Sequence, residues 1–460
     1  MSGALGSCVL PFLVVSLILG ILVPAPTSVA QTPEWVVSSL FTLESTVKDI
    51  RANLIIESGG VLQLLNSTLV MNLTKDAEFE ILVKPGGRLI ARNSTITNGP
   101  LGAHYWFRVR GAMELCDSNV RGTWGVFETG GIIISCNEVI ITRCRLTDHK
   151  WYAITVNASS PEISDNTIEG CRAGIRVEGD GAPNISGNLI RNMEKEGIIS
   201  LGARPHIRSN RLLNNWMGVG LFDSDAEVSG NEILGSGSSG IDCSSGSDAK
   251  ISGNTISSGN GAGITIHSSS PLLSSNTISD NAVGVNCTSS RPIIRNNLIT
   301  GSRGWGVYSV SGSPVLEGNL YTAGPGSENA LGAVAVVWRL TIRVEDSERR
   351  PVGGADITIR DSLGAIVFRG RTERSGTFSG IELFQLHYDP NGTRHEDTPH
   401  TITVGAQGLS SSREVEVNED QSITIRLGEV APSFIPTGSG PLFALALIGA
   451  LLNYVRKYRN

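Results

Sequence analysis

The 460-residue chain is poor in aromatic side chains (5%), in charged ones (17%) and in methionine, of which it has five. Its net charge of −6 is small for the length and no basic run occurs outside the extreme C-terminus, so no nucleic-acid partner is expected. No Cys-x-x-Cys pair and no Cys/His cluster of zinc type is present, which removes a structural zinc site. The middle of the chain lacks runs of ten residues at helical spacing, and its leucines do not cluster. Those two absences exclude helical and leucine-rich repeats.

Glycine, at 54 residues, is abundant, and asparagine recurs with a period. Asn166, Asn188, Asn210, Asn231, Asn254, Asn276, Asn297 and Asn319 lie 21 to 23 residues apart. Most are followed two residues later by Ile or Leu, and about nine residues later by Gly and an aliphatic residue, as in Gly174-Ile175, Gly218-Val219 and Gly263-Ile264. A third apolar position closes each unit, as Ile185, Ile207 and Ile251 do. Three short apolar marks per unit predict three short strands joined by turns, with successive coils stacked about 4.8 Å apart in parallel pairing. The repeated Asn is expected at a bend, in a backbone conformation most residues avoid, with its amide bonded to the equivalents above and below.

On this pattern the stretch resembles the right-handed parallel β-helix repeats of pectate-lyase-like enzymes and of many microbial surface proteins. The resemblance covers about half the chain. It implies an all-β solenoid spanning residues 53–323, with wide, irregular early coils and residues 31–52 as an entry segment or cap. Gly324-Pro325-Gly326-Ser327 marks a break, so residues 324–337 read as a linker. Beyond it, residues 338–428 alternate apolar and polar positions in short strands, the pattern of a small antiparallel β-sandwich. Val344, Asp346, Pro351-Val352, Gly354-Ala355, Ile357, Ile359, Thr372 and Gly376 resemble the carboxypeptidase-regulatory-like (transthyretin-like) sandwich, which implies a spacer or adhesion module.

The ends suggest export. Residues 1–30 contain an apolar run, Val9 to Val23, that closes on small residues with Ser28 and Ala30 at the cleavage positions, so they read as a signal peptide. Residues 434–455 are 22 residues, about 33 Å of helix, enough for a transmembrane anchor, with 456–460 as a basic cytoplasmic tail. The layout of this end resembles the sorting tails of prokaryotic surface proteins, which implies that the tail is open to processing. The expected placement is a single pass with the bulk of the chain on the extracellular face of the cell membrane. Asn66, Asn72, Asn93, Asn157, Asn184, Asn286 and Asn391 lie in sequons that would accept N-glycans there. Of the six cysteines beyond residue 31, Cys243 and Cys287 occupy the same repeat position two coils apart, beyond disulfide reach, and read as core fillers.

The chemistry is sparse. A face column just beyond the repeat glycines reads Thr155, Arg176, Ile199, Gly220, Asp242, Thr265, Asn286 and Tyr308. A lyase needs a base and a cation, and a glycoside hydrolase two carboxylates at a set separation; here Arg176 and Asp242 are three coils apart. Asp223 and Asp225 offer carboxylate oxygens that could take Ca²⁺, although Asp-Ser-Asp is also an ordinary turn; no cofactor is expected. His104, Trp106, Trp124 and His149 stand in an aromatic-rich irregular stretch and are candidates for a sugar-binding surface. Two functions follow: a surface protein binding polysaccharide or protein along the solenoid face, or a polysaccharide lyase or uronate C5-epimerase.

Overall fold

The computed structural model describes residues 32–126, 129–322, 332–388 and 393–428. The expected signal peptide, membrane anchor and basic tail lie outside them, as does Asn391. Among the described residues every regular element is a strand, and no helix is long and apolar enough to cross a membrane.

Each coil contributes one strand to each of three parallel sheets, as Ala173–Glu178, Asn184–Ser186 and Leu189–Arg191 do. The second and third sheets hold 13 strands apiece. Inside the coils the aliphatic positions stack in register: Ile175 pairs with Ile198, Ile185 with Ile207 and Ile190 with Leu212. Nearly all are fully buried, and burial of each contributes about 1.5–3 kcal/mol. Cys243 and Cys287 are two of these fillers, separated in the stack by Ile266, and the six cysteines of the described residues are free thiols.

The bends carry polar ladders. Asn210 Nδ2 donates to Asn231 Oδ1 at 3.0 Å and to the Ile185 carbonyl at 2.8 Å. Its own Oδ1 accepts from the side chain and the backbone N–H of Asn188. The same pattern runs from Asn166 to Asn319, and earlier coils substitute Ser67, Ser94 and Ser118. The left-handed backbone sits one residue before the position expected for it: Asp165, Ser209, Ser275 and Asn296 have φ of 53–57°. The ladder Asn turns its amide inward and the preceding residue makes the corner. The repeat glycines have a separate cause. A Cβ on Gly174 would lie 2.1 Å from the Gly197 carbonyl oxygen, and one on Gly240 would lie 2.5 Å from that of Gly263. The column is glycine because the next coil occupies the space.

Two expected boundaries move. Within the segment 31–52, Glu34–Val37, Leu40–Glu44 and Val47–Ile50 form a complete first coil, paired in register with the second. The linker 324–337 is shorter than the glycines imply, because residues 332–337 begin a 14-residue strand, Gly332–Glu345. Its first half pairs in parallel with Trp305–Val310 of the last coil. Its second half pairs in parallel with Gln421–Arg426, and Thr377–Tyr388 runs antiparallel along most of its length. A four-stranded antiparallel sheet of Ile366–Arg371, Asp356–Arg360, His400–Ala406 and Leu409–Val415 completes the C-terminal part. Ile342, Ile357 and Ile402 belong to the same continuous apolar cluster as the solenoid interior.

Candidate functional site on the outer face of the first sheet

On the first sheet's outer side the column read from the sequence is in register. Arg108 and Ile133 precede Thr155, which pairs with Arg176; Ile199, Gly220, Asp242, Thr265, Asn286 and Tyr308 follow coil by coil. A second column lies on the turn that enters this sheet. In four successive coils it holds Trp151, Arg172, Lys195 and Trp216. The Arg172 guanidinium stands 4.0 Å from the Trp151 ring centroid, and Lys195 Nζ 5.6 Å from that of Trp216. Trp216 is 46% exposed. The four span about 14 Å.

The motif continues toward the N-terminal coils. Arg108 lies 4.5 Å from the Trp106 ring, Lys150 5.6 Å from Trp124, and Arg176 5.7 Å from Tyr152. Beside the ridge, Tyr152, Ala173 and Ile199, all buried, pack with the half-buried Leu201 and Phe222 into a small apolar cluster separate from the interior. Polar groups border this floor. Arg176 Nε holds Glu178 at 3.0 Å, and the Tyr152 hydroxyl donates to Glu196 at 3.4 Å. Burial pushes the Tyr152 phenol up to about 12, with the Glu196 charge adding to the effect, so it is a neutral donor near pH 7. Further along, burial holds the Asp242 carboxyl above its ordinary range, against the hydrogen bond from Ser244.

Separated tryptophan rings with cations between them, Arg172 also ion-paired to Glu194 at 3.9 Å, form a line on the sheet that can contact sugar rings while attracting anionic substituents. No His, Cys, Asp or Glu cluster suited to a metal occurs among the described residues.

The candidates from sequence divide. Trp106, Trp124 and Arg176 stand on this face or its flank. His104 lies on the flank, its Nδ1 3.0 Å from Asp76 and its ring 6.4 Å from that of Trp124. Asp242 shares the Arg176 column, three coils away. His149 is not a surface group: it is 3% exposed, hydrogen-bonded to Thr123, and burial lowers it to about 3. Asp223 and Asp225 belong to the bend on the other side of the sheet. Asp223 has φ of 51°, buried Ser224 donates to the Ala203 carbonyl, and Asp225 accepts from the Asp248 N–H. Sequence reasoning missed Trp151, Arg172, Lys195 and Trp216, which share one signal: each stands two residues before the repeat glycine or the alanine in its place.

Among solved structures, a variant of the periplasmic alginate epimerase AlgG is similar over 60% of this chain and 78% of that one, with a TM-score of 0.51 at 15% identity. The A-module of the Azotobacter vinelandii mannuronan C-5 epimerase AlgE4 has a TM-score of 0.40 at 13% identity, over 59% of this chain and 90% of that one. The Streptococcus pneumoniae surface protein and adhesin PfbA has 0.37 at 11%, over 62% and 89%. At 15% identity the likeness to the AlgG variant is one of fold. A comparison with the curated proteins finds no match. The family described as right handed beta helix region matches residues 42–212 and 196–346, about two thirds of the chain, and the protein belongs to that family.

Proposed function

We propose that this is an exported, membrane-anchored cell-surface β-helix protein that binds polysaccharide, acidic polysaccharide in particular, along the outer face of its first sheet. The observation that carries the reading is the Trp151, Arg172, Lys195, Trp216 column. Aromatic planes supply sequence-tolerant contact to sugar rings, and the cations supply the preference for acidic chains. In this reading residues 1–30 direct export and 434–455 hold the protein in the membrane with its C-terminus cytoplasmic. Residues 338–428 are a carboxypeptidase-regulatory-like β-sandwich that lifts the solenoid off the surface. The burial of Ile342, Ile357 and Ile402 in one apolar cluster, on strands of two different sheets, supports the sandwich.

The test is a glycan array probed with the intact protein, followed by titration of acidic and neutral polysaccharides at rising salt. Tighter binding of acidic chains, weakening with salt, is expected; equal or absent binding of both overturns the reading. The lyase or epimerase reading has one supporting observation, the Asp242 carboxyl above its ordinary range in the Arg176 column. A separation of three coils, about 14 Å, places the two groups on different sugar units of a bound chain, which favours binding over chemistry. Unsaturated or epimerised product from a uronate polymer, lost in Asp242→Asn, would replace the binding reading with the enzymatic one.

A further inference from the structure

The outer column of the first sheet does not face solvent evenly along its length. Asp242, Thr265, Asn286 and Tyr308 are half-buried, whereas Thr155, in the same column, has no exposed surface at all. What covers Thr155 is backbone. Between Trp124 and Gly131 the chain leaves the coil as a small antiparallel hairpin, Gly125–Val126 paired with Thr129–Gly130. Its neck is closed by the Gly131 N–H, which donates to the Trp124 carbonyl at 3.3 Å. The Thr155 hydroxyl donates to the Gly130 carbonyl at 2.8 Å and accepts from the Gly130 N–H at 3.3 Å. The returning strand is thereby fastened to the outside of the sheet.

The outgoing strand lies against the ridge. A Cβ on Gly125 would stand 3.1 Å from the Cβ of Trp151, and one on Gly130 would stand 2.6 Å from the Gly125 Cα. Both positions are glycine because the two strands and the tryptophan share that space. The hairpin therefore crosses the face from the Trp151 turn to the Thr155 column, at the coil where the line Trp151, Arg172, Lys195, Trp216 begins. In the opposite direction, beyond Trp216, the same turn holds Ser238, Gly261, Ala282 and Gly304, stacked coil upon coil. No side chain in that run is larger than serine's, so the turn is high at one end and low at the other.

We propose that this hairpin closes the binding face at one end, so that the ridge takes the terminal sugars of a uronate chain and excludes its interior. The inference rests on the polysaccharide-binding reading above and adds a direction to it. A chain lying along the ridge meets Trp151 and Trp216 with Arg172 and Lys195 between them. One sugar further toward the N-terminal coils would have to occupy the space of Gly125 and Gly130. That backbone is held by strand pairing and by Thr155, and does not swing aside as the end of a long side chain does. The chain ends there, and its remainder passes over Ser238 and Gly261.

The test uses the full chain in detergent and polygalacturonate cut into fractions of graded length, the shortest just covering the ridge. Isothermal titration gives the number of protein molecules bound per polysaccharide chain. One protein per chain is expected from the shortest fraction to the longest, because each chain has one end of the fitting kind. A number that rises in proportion to chain length overturns the inference and leaves the binding reading intact; no binding to any fraction defeats that reading, and the inference with it. Replacing residues 125–130 by two glycines is expected to let chains run past, so that the number per chain then rises with length at unchanged circular dichroism. A folded variant that still binds one per chain overturns the role of the hairpin. Should the shortened chain not fold, the wild-type series decides alone.

Discussion

At the bend between the second and third sheets, eight coils carry the same residue; on the turn entering the first sheet, four coils carry Trp, Arg, Lys and Trp. Both columns are built by the same stacking, so geometry does not explain the difference. At the bend each amide faces inward, where an unmatched donor or acceptor has no water to turn to, and in the eight coils from Asn166 to Asn319 a residue that donates to the next coil and accepts from the one before fills every place. On the outer turn the side chains face solvent, stacking places no demand on their identity, and the composition is free to answer to a partner. Uniformity marks what the coils require of one another, and variety marks where they meet something else.

The contrast is open to direct attack, starting from its larger side. Asn210→Ala leaves two buried donors of Asn188 and the Ile185 carbonyl without partners. At about 1–3 kcal/mol for each unmatched group, a loss of at least ~3 kcal/mol is expected in denaturant unfolding, with polysaccharide affinity unchanged in whatever remains folded. A shift under 1 kcal/mol would mean that the ladder is ornamental.

Acid provides the second. His149 is held neutral by burial, at about 3 against an ordinary value near 6.5. The unfolded chain therefore binds the extra proton first. The stability associated with the neutral ring is fully present above about pH 6.5 and is lost as pH falls toward 3, at ~1.4 kcal/mol per pH unit. His149→Gln should flatten that part of the pH–stability curve measured by thermal unfolding; an unchanged slope would place the acid sensitivity elsewhere.

On the outer turn the expectation reverses. Trp216→Ala should weaken polysaccharide binding about tenfold, ~1.4 kcal/mol, while leaving the unfolding midpoint in place. A stability loss comparable to that of Asn210→Ala would show that the outer column serves the fold after all. The smallest effect is expected on the third sheet's exterior, where Glu169 bridges Arg145 and Arg191 across successive coils. Arg191→Ala should change stability by no more than ~0.5 kcal/mol, since exposed ion pairs are screened.

The interior was legible in the sequence because its periodicity is enforced. Asn166 through Asn319, the aliphatic partners and the repeat glycines must recur for coils to stack, and the three-sheet architecture follows from counting them. Corners were misplaced by one residue because the left-handed position accepts Asp, Gly, Ser or Asn, as at Asp165, Gly187, Ser209 and Asn296, and so shows no single letter. The first coil read as an entry segment because the 21–23-residue repeat is not yet regular there, and only the pairing of Val37 with Ile56, Leu43 with Leu64 and Ile50 with Met71 shows its strands. The strand Gly332–Glu345 was split at Trp338 because its first half, Gly332 to Val337, lacks polar alternation: it pairs with the last coil, and most of its side chains are buried. Trp151 and Trp216 carried a fixed offset from the repeat, yet Arg172 and Lys195 between them hid the column from a search for one recurring residue type.

That same strand has a mechanical meaning. Its hydrogen bonds to the final coil and to the C-terminal sheets lie along one continuous strand, Gly332–Glu345, whose pairing with Thr377–Tyr388 shifts register at Val336/Val337 and Leu340/Ile342. A pull between the two parts acts parallel to the strand and must slide many backbone pairs at once instead of opening them one after another. The joint is therefore stiff under tension, and the direction in which the first sheet's outer face looks is set by the C-terminal sheets themselves.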